Sequence, residues 1–369
     1  MSSRRLKVAL GIIGCVAILA WVHVSSPTSA EAAESFAGKT IRIIIGYPPG
    51  GGHDLEARVM ARYLGKYLPG KPSIIVQNMP GAGGMIQAAY IYNRAKPDGL
   101  TIGLFGRSHG IQALLLKPES IKYDLAKMPL VWSVAGAYLD IVREFLNAKT
   151  AKDLMKVDPS EIVVAGRSKG GSSCVTGQLS LDLLGIKGYK PVCAYKGTAV
   201  ISGAFERGEV SFFNASDAHL VGGGAFVDMY QRGMVVPMWQ TGVFQSDGKI
   251  VRSATIKADI PTLYEVYKEI HGKPPSGVKW EAWEALSLGM TKFQRSLVLP
   301  PATPPSRVRA LREGIDRMAR DPKFIARWEK IFGQKLAPVL VPAEEGDKIK
   351  AKFMAPAPWQ EYLRKFVWG

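Results

Sequence analysis

The chain has 369 residues, 47% apolar and 21% charged, enough for one large or two medium domains with cores of their own. Its formal charge of +17 points to nucleic acid, an anionic surface or acidic ligands. No cluster of aromatic and basic residues of the kind that stacks bases stands out, which argues against nucleic acid.

The first residues carry Arg4, Arg5 and Lys7, Val8 to Val24 is almost wholly apolar, and Ser25 to Ala33 is small and polar, with Thr28-Ser29-Ala30 like a cleavage site. This pattern predicts a secretory signal peptide over 1–33 and export, with the mature protein starting near Glu31 or Ala33. The apolar run is short for an uncleaved membrane anchor. It also continues past Cys15, where a lipoprotein signal would turn polar. Loss of the three N-terminal cations leaves a charge of +14, and export is a second argument against nucleic acid.

Ile41 to Ile45 is short, apolar and β-branched, the pattern of a buried strand. Leu55, Val59, Tyr63 and Tyr67 then recur at helical spacing. Between them runs Gly46-Tyr47-Pro48-Pro49-Gly50-Gly51-Gly52-His53-Asp54. Glycine N–H groups at a helix start form a seat for a carboxylate or phosphate at the end of a strand. The stretch also reads as a tight turn with Asp54 as N-cap. It is neither a Walker loop nor a Rossmann fingerprint.

Ser73 to Asn78 is a second strand, Pro80 to Gly84 a second glycine turn, and Met85 to Ala95 a short helix closed by Pro97-Asp98-Gly99. Thr101 to Phe105 is a third strand, which delivers Gly106-Arg107-Ser108-His109-Gly110 to the edge of the first loop if the strands are parallel. The character changes around Ala137 to Phe145, and a helix begins over Lys149 to Leu154. Glu161 to Ala165 is another buried strand, running into Gly166-Arg167-Ser168-Lys169-Gly170-Gly171-Ser172-Ser173 and a helix through Leu184. Tyr195-Lys196-Gly197-Thr198 follows a further strand, and strand Val210 to Phe213 leads to Asn214-Ala215-Ser216-Asp217. A helix starts at Pro261-Thr262-Leu263, Ser296 to Leu299 is a strand, and Ser306 to Arg320 is an amphipathic helix. Strands alternating with helices predict an α/β protein of two lobes with mostly parallel sheets and a ligand cleft between them. Lobe I is expected over 34–137 plus 238–369 and lobe II over 138–237, with crossing strands near Tyr138 and Met238. Cys174 and Cys193 form no CxxC and no Cys/His cluster, which argues against structural zinc. They read either as a disulfide or as two buried thiols.

Chained together, Tyr47 to Asp54 with Arg58, Val76-Gln77-Asn78 through Gly84, Pro97-Asp98-Gly99-Leu100-Thr101, Tyr195 to Thr198 and Ile260-Pro261-Thr262 resemble the periplasmic receptors of tripartite tricarboxylate transporters, the Bug/TctC-type solute-binding proteins. The resemblance runs from about Ala37 to the C-terminal helices. It implies a type II periplasmic-binding fold, two lobes closing over a small organic carboxylate held partly by backbone N–H groups of the first loop, and transfer to the membrane subunits of a transporter. It implies a periplasmic protein, no catalysis and no cofactor or metal, and a monomer is expected. Gly46, His53, Arg167, Lys169, Cys174 and Ala194 depart from the pattern and make the mouth unusually basic.

The candidate ligand residues are therefore Tyr47, Pro49, Gly50, Gly51, Gly52 and His53 in the first loop, with Asp54 as a cap that stiffens it and Arg58 paired to an acid on its own helix. Arg107, Ser108, Ser168, Ser172 and Ser173 are polar contacts, Tyr195 stands in the second lobe, and Asn214 and Asp217 close the far side. Arg167 is expected to grip a distal carboxylate, with Lys169 on the rim. Two rival functions remain on the sequence. Gly166-Arg167-Ser168-Lys169-Gly170 spells the G-x-S-x-G of a hydrolase nucleophile elbow. The same receptor fold could instead report ligand to a partner as a sensor or scaffold.

Overall fold

The computed structural model describes residues 35–115, 122–220, 224–245, 248–332 and 340–369; the expected signal peptide lies outside them. The chain opens with β1 (Thr40–Ile45), α1 (Gly52–Leu64), β2 (Ser73–Asn78), α2 (Met85–Asn93), β3 (Thr101–Gly106), α3 (Ser108–Leu115) and β4 (Leu130–Val134). Next come β5 (Tyr138–Arg143), α4 (Ala151–Leu154), β6 (Val163–Gly166), α5 (Ser172–Leu183), β7 (Lys190–Cys193), α6 (Thr198–Glu206), β8 (Phe212–Ser216), α7 (Val227–Gln231) and β9 (Val235–Gln240). After a pair of two-residue antiparallel strands, β10 (Val243–Phe244) and β11 (Ile250–Val251), the chain continues through α8 (Leu263–His271), α9 (Val278–Lys292) and β12 (Arg295–Val298). It ends with α10 (Pro305–Ala319), α11 (Pro322–Phe332), β13 (Leu340–Val341), α12 (Ala343–Met354) and α13 (Pro358–Trp368).

Two sheets result, β13-β4-β12-β3-β1-β2 and β7-β6-β8-β5-β9. Pairing is parallel in β2-β1-β3 and in β7-β6-β8. Strands that cross between lobes or enter late pair antiparallel: β5 with β8 and β9, and β12 with β3 and β4. The chain changes sheet between β4 and β5 and leaves the second sheet after β9. Ile43, Ile44 and Ile45 are fully buried, as strands covered on both faces require.

Each sheet has its own core. Ile41, Ile43, Leu104, Leu297 and Leu311 pack in the first lobe, and Ile141, Ala165, Phe205, Phe213 and Phe226 in the second. A third cluster brings α5, α8, α9 and α13 together around Trp283. Helix α10 buries Val308, Leu311, Ile315 and Met318, the stripe its periodicity requires. Thr262 and Glu265 form a reciprocal capping box that starts α8.

One local reading changes, and one open alternative is settled. Strand β8 extends to Ser216, so Asn214 lies in the sheet opposite Asp140 and not in a loop. Its amide donates to Asp140 Oδ1 at 3.0 Å, which gives a buried polar residue a partner inside the ladder. Cys174 and Cys193 are joined, with Cα atoms 6.0 Å apart, tying α5 to edge strand β7. A Cβ at Gly166 would meet Cys174 Cβ at 2.5 Å, so only glycine lets the strand pass the bridge.

Candidate ligand cleft

The parallel strands β1, β3 and β6 end in the loops that carry Tyr47 to Gly52, Arg107 and Arg167. These loops surround a cavity of about 620 Å³. One wall is Tyr47, Pro48, Pro49, Gly50, Gly51, Gly52 and His53 with Gly106, Arg107 and Ser108; the other is Arg167, Lys196, Gly197, Thr198, Ser216 and His219. Tyr138 lines it from crossing strand β5, and Gln294 and Arg295 line it from the start of β12. Four lining residues are cationic, Arg107, Arg167, Lys196 and Arg295, and none is acidic.

Helix α1 begins at Gly52, and its N-cap Gly51 supplies no side-chain cap, so N–H groups of the first turn stay available. The N–H of Gly50 is turned away: it donates to Asp54 Oδ2 at 2.9 Å. Asp54 also accepts from Asn78 Nδ2 at 3.0 Å and Arg58 Nε at 2.9 Å. The Arg58 bond, with those from Gly50 and Asn78, holds the Asp54 carboxyl below its usual range. Asp54 therefore stays ionised and stiffens the loop without lining the cavity.

Behind the loop, the Tyr47 and His53 rings lie 4.4 Å apart. A Cβ on Gly106 would collide with His53 Nε2, so β3 must end in glycine for the imidazole to lie over it. Burial lowers His53 well below the ordinary imidazole range, and Arg295 and Arg167 push it further. Burial brings His109 down to about 4 and His219 to about 3. All three imidazoles are thus neutral near pH 7, and the charge of the cleft comes from its guanidiniums and Lys196.

Arg107 is buried, with its guanidinium 4.2 Å from the centre of the Tyr138 ring and Nη1 without a hydrogen-bond partner. Burial lowers its pKa to about 10, so it remains charged. Arg295 pairs with Glu56 on α1, Nε to Oε2 at 2.6 Å, and Glu56 is itself buried. A side chain at Gly52 would meet Arg295 Nη2 at 3.2 Å, which puts this guanidinium at the start of α1. Because Arg295 is in register with Gly106, the two guanidinium-bearing segments leave neighbouring strands at one level.

Of the expected ligand residues, the cavity brings together Tyr47, Pro49, Gly50, Gly51, Gly52, His53, Arg107, Ser108 and Arg167. Asp54, Ser168, Ser172, Ser173, Tyr195, Asn214 and Asp217 do not line it. Ser172 and Ser173 are buried at the start of α5, and Ser172 Oγ lies 3.4 Å from Ser108 Oγ. Tyr195 packs on the second-lobe core, and Asp217 accepts from Thr255 Oγ1 at 2.5 Å. Sequence reasoning passed over Tyr138, Ser216, His219 and Arg295. The signal available for Arg295 is a lone arginine immediately before the apolar strand expected over Ser296 to Leu299. No group of His, Cys, Asp and Glu suited to a metal ion occurs among the described residues.

No family model matches the chain. It is 34% identical over 136 residues to Protein BugT of Bordetella pertussis, a match covering 37% of this chain and 38% of BugT. Its matches cover from 29% to 51% of the length of the curated relatives. Among solved structures it resembles the periplasmic binding protein BugD, with a TM-score of 0.63 and 20% identity over 88% of this chain and 97% of BugD. It also resembles MatC from Rhodopseudomonas palustris with bound malate, with a TM-score of 0.61 and 17% identity over 89% of this chain and 98% of MatC. The structural likeness is one of fold, and that fold is a binding protein's, not an α/β-hydrolase's. In that fold the pentapeptide from Gly166 to Gly170 is the turn from β6 into the loop before α5, and no hydrogen bond between Ser168 and a histidine occurs among the described residues. In sequence over part of its length, and in fold over most of it, the chain resembles the Bug/TctC-type periplasmic solute-binding proteins.

Proposed function

We propose that this protein is an extracytoplasmic solute receptor of the periplasm, which captures a small organic carboxylate by closing two lobes and delivers it to the membrane subunits of a tripartite tricarboxylate-type transporter. The observation that carries the reading is the lining of the cleft: four cationic side chains and no acid around the uncapped start of α1, with Arg107 on one lobe and Arg167 on the other. Such a site favours anions by Coulomb attraction and by backbone donors together. The malate bound to MatC, a protein of the same fold, supports a carboxylate ligand. The apolar run near the N-terminus supports export.

A thermal-shift screen of mono-, di- and tricarboxylates tests the reading. A ligand that binds only the folded state stabilises it by about 2.7 kcal/mol at a hundredfold excess over Kd. At least one carboxylate is expected to raise the melting point in a saturable way, and no response across the set would refute the proposal. Co-purification with transporter membrane subunits tests delivery.

A further inference from the structure

The charges in the cleft do not balance within the protein. Arg295 is compensated by Glu56. Arg107, Arg167 and Lys196 form no ion pair among the described residues. Two of the three belong to loops that meet: Arg107 precedes Ser108, Arg167 lies in the loop that ends at Ser172, and the two serine hydroxyls are 3.4 Å apart. Arg107 is also buried, with Nη1 unpartnered. The compensated Arg295 stands apart from this pair at the start of α1, where Gly52 and His53 supply backbone donors.

Resting on the reading of this cleft as a carboxylate site, we propose that the ligand also carries a phosphoryl or phosphonyl group, its carboxylate seated at the start of α1 beside Arg295 and its tetrahedral dianion braced between Arg107 and Arg167. One guanidinium fork uses both oxygens of a carboxylate. A second guanidinium on an adjoining loop can take only the remaining lone pairs, and the two cations then share a single negative charge, which leaves one of them uncompensated. A phosphoryl group presents three oxygens and nearly two charges, which two forks from different loops can share. One carboxylate and one phosphoryl dianion together also match the three uncompensated cations of the cleft. The neighbours facing this group are Tyr47, Tyr138, His53, His109 and His219, with Lys196 on the second wall and the Glu56–Arg295 pair beyond. The imidazoles are neutral throughout the working pH range, since burial holds His109 near about 4 and His219 near about 3. Glu56, and Asp140 on β5 behind Arg107, both pushed up to about 7 by burial, are acids that titrate in the same range as the ligand.

Calorimetry on the mature protein in a buffer free of polyanions tests this with four probes: 3-phosphoglycerate, glycerate, propane-1,2,3-tricarboxylate and inorganic phosphate. At about pH 8, 3-phosphoglycerate should bind at least about tenfold more tightly than the other three. That advantage over glycerate should shrink several-fold by about pH 5, as the phosphoryl group loses its second charge near about pH 6. Glycerate measured across the same range corrects for Glu56 and Asp140. The profile uses the unaltered protein, so it stands if Arg107→Ala fails to fold; Arg167→Ala, at a half-exposed position, should reduce the advantage on its own. Equal or tighter binding of the tricarboxylate would overturn the inference and leave the carboxylate receptor standing. Inorganic phosphate binding as tightly as 3-phosphoglycerate would overturn the two-group ligand. No binding of any probe would overturn this inference, whereas the receptor reading fails only if the wider carboxylate screen is also silent.

Discussion

Ser108 and Ser172 touch where the two loops meet, hydroxyl to hydroxyl at 3.4 Å, each the first residue of a helix that follows a different sheet. The contact joins β3–α3 of the first sheet to β6–α5 of the second, in the loops that carry Arg107 and Arg167. It is the side-chain hydrogen bond that links these two cleft-lining loops among the described residues. An indole at either position would hold the loops apart. Ser172→Trp is expected to enlarge the radius of gyration in small-angle scattering and to weaken any confirmed ligand by about tenfold or more. Unchanged scattering and affinity would show that the loops need not meet.

Asp54 gives a prediction whose sign discriminates. If this carboxylate merely repelled an anion, removing it would strengthen binding. Its three bonds to Gly50, Asn78 and Arg58 imply the reverse. Asp54→Ala should destabilise the fold by about 1–3 kcal/mol, the cost of leaving a buried donor unsatisfied, and should weaken ligand binding as the first loop loosens. Denaturant melts and calorimetry on the same variant measure both effects, and tighter binding would contradict the account.

Arg167 and Lys169 separate a cleft residue from a surface one. Lys169 lies with its ammonium 5.3 Å from the centre of the Trp368 ring, away from the cavity lining, whereas Arg167 is part of that lining. Arg167→Ala should cost a bound dianion roughly 2–5 kcal/mol. Lys169→Ala should leave affinity within about 0.5 kcal/mol. Equal losses from the two would mean that bulk charge, not a guanidinium contact, governs binding.

Asp140 makes stability depend on pH. It is buried on β5, accepts from Asn214 and, at 2.5 Å, from Trp239 Nε1, and burial pushes its pKa up to about 7 despite those donors. An acid whose folded pKa lies above its unfolded value favours folding while it is protonated. Its contribution is complete below the unfolded value near about 4 and is lost as pH rises to about 7, on the order of 4 kcal/mol in all. Melting temperature should therefore fall between about pH 4 and pH 7, and Asp140→Asn should flatten that slope. An identical slope in the variant would assign the pH dependence elsewhere.

The Cys174–Cys193 bridge closes a loop of 19 residues over the edge of the second sheet. Replacing both cysteines by alanine should cost about 3 kcal/mol, read as a lower denaturant midpoint at unchanged slope. The reduced native protein should match the double variant, and an undiminished midpoint would show that α5 and β7 are held by packing alone.

The strands and helices that feed the cleft were legible because they repeat one grammar: a β-branched run, a glycine loop, a helix with an apolar face. That grammar located Tyr47 to His53, Arg107 and Arg167, all of which follow strand ends. It did not locate Tyr138, Ser216, His219 or Arg295, which sit in or beside crossing and late strands. Their place depends on antiparallel pairing between segments far apart in sequence, such as Arg295 with Gly106 and Tyr138 with Ser216. Nothing local marks such a register. Asn214 shows the converse: its setting among polar residues suggested a loop, but a cross-strand acid supplied the partner that lets an amide live inside a sheet.

Trp368 ends α13 with its indole N–H on Leu115 O of α3, while its ring lies 3.3 Å from where a Cβ at Gly170 would stand and beneath Lys169. One partially exposed chromophore thus reads both lobes at once. Its surroundings include a glycine loop of the second lobe and a cation, and the other end of the indole is tethered to the first lobe. Rotation between the lobes should change the polarity and quenching it experiences, so the emission lost in a Trp368→Phe variant, compared with and without ligand, should report lobe movement with no dye or label attached.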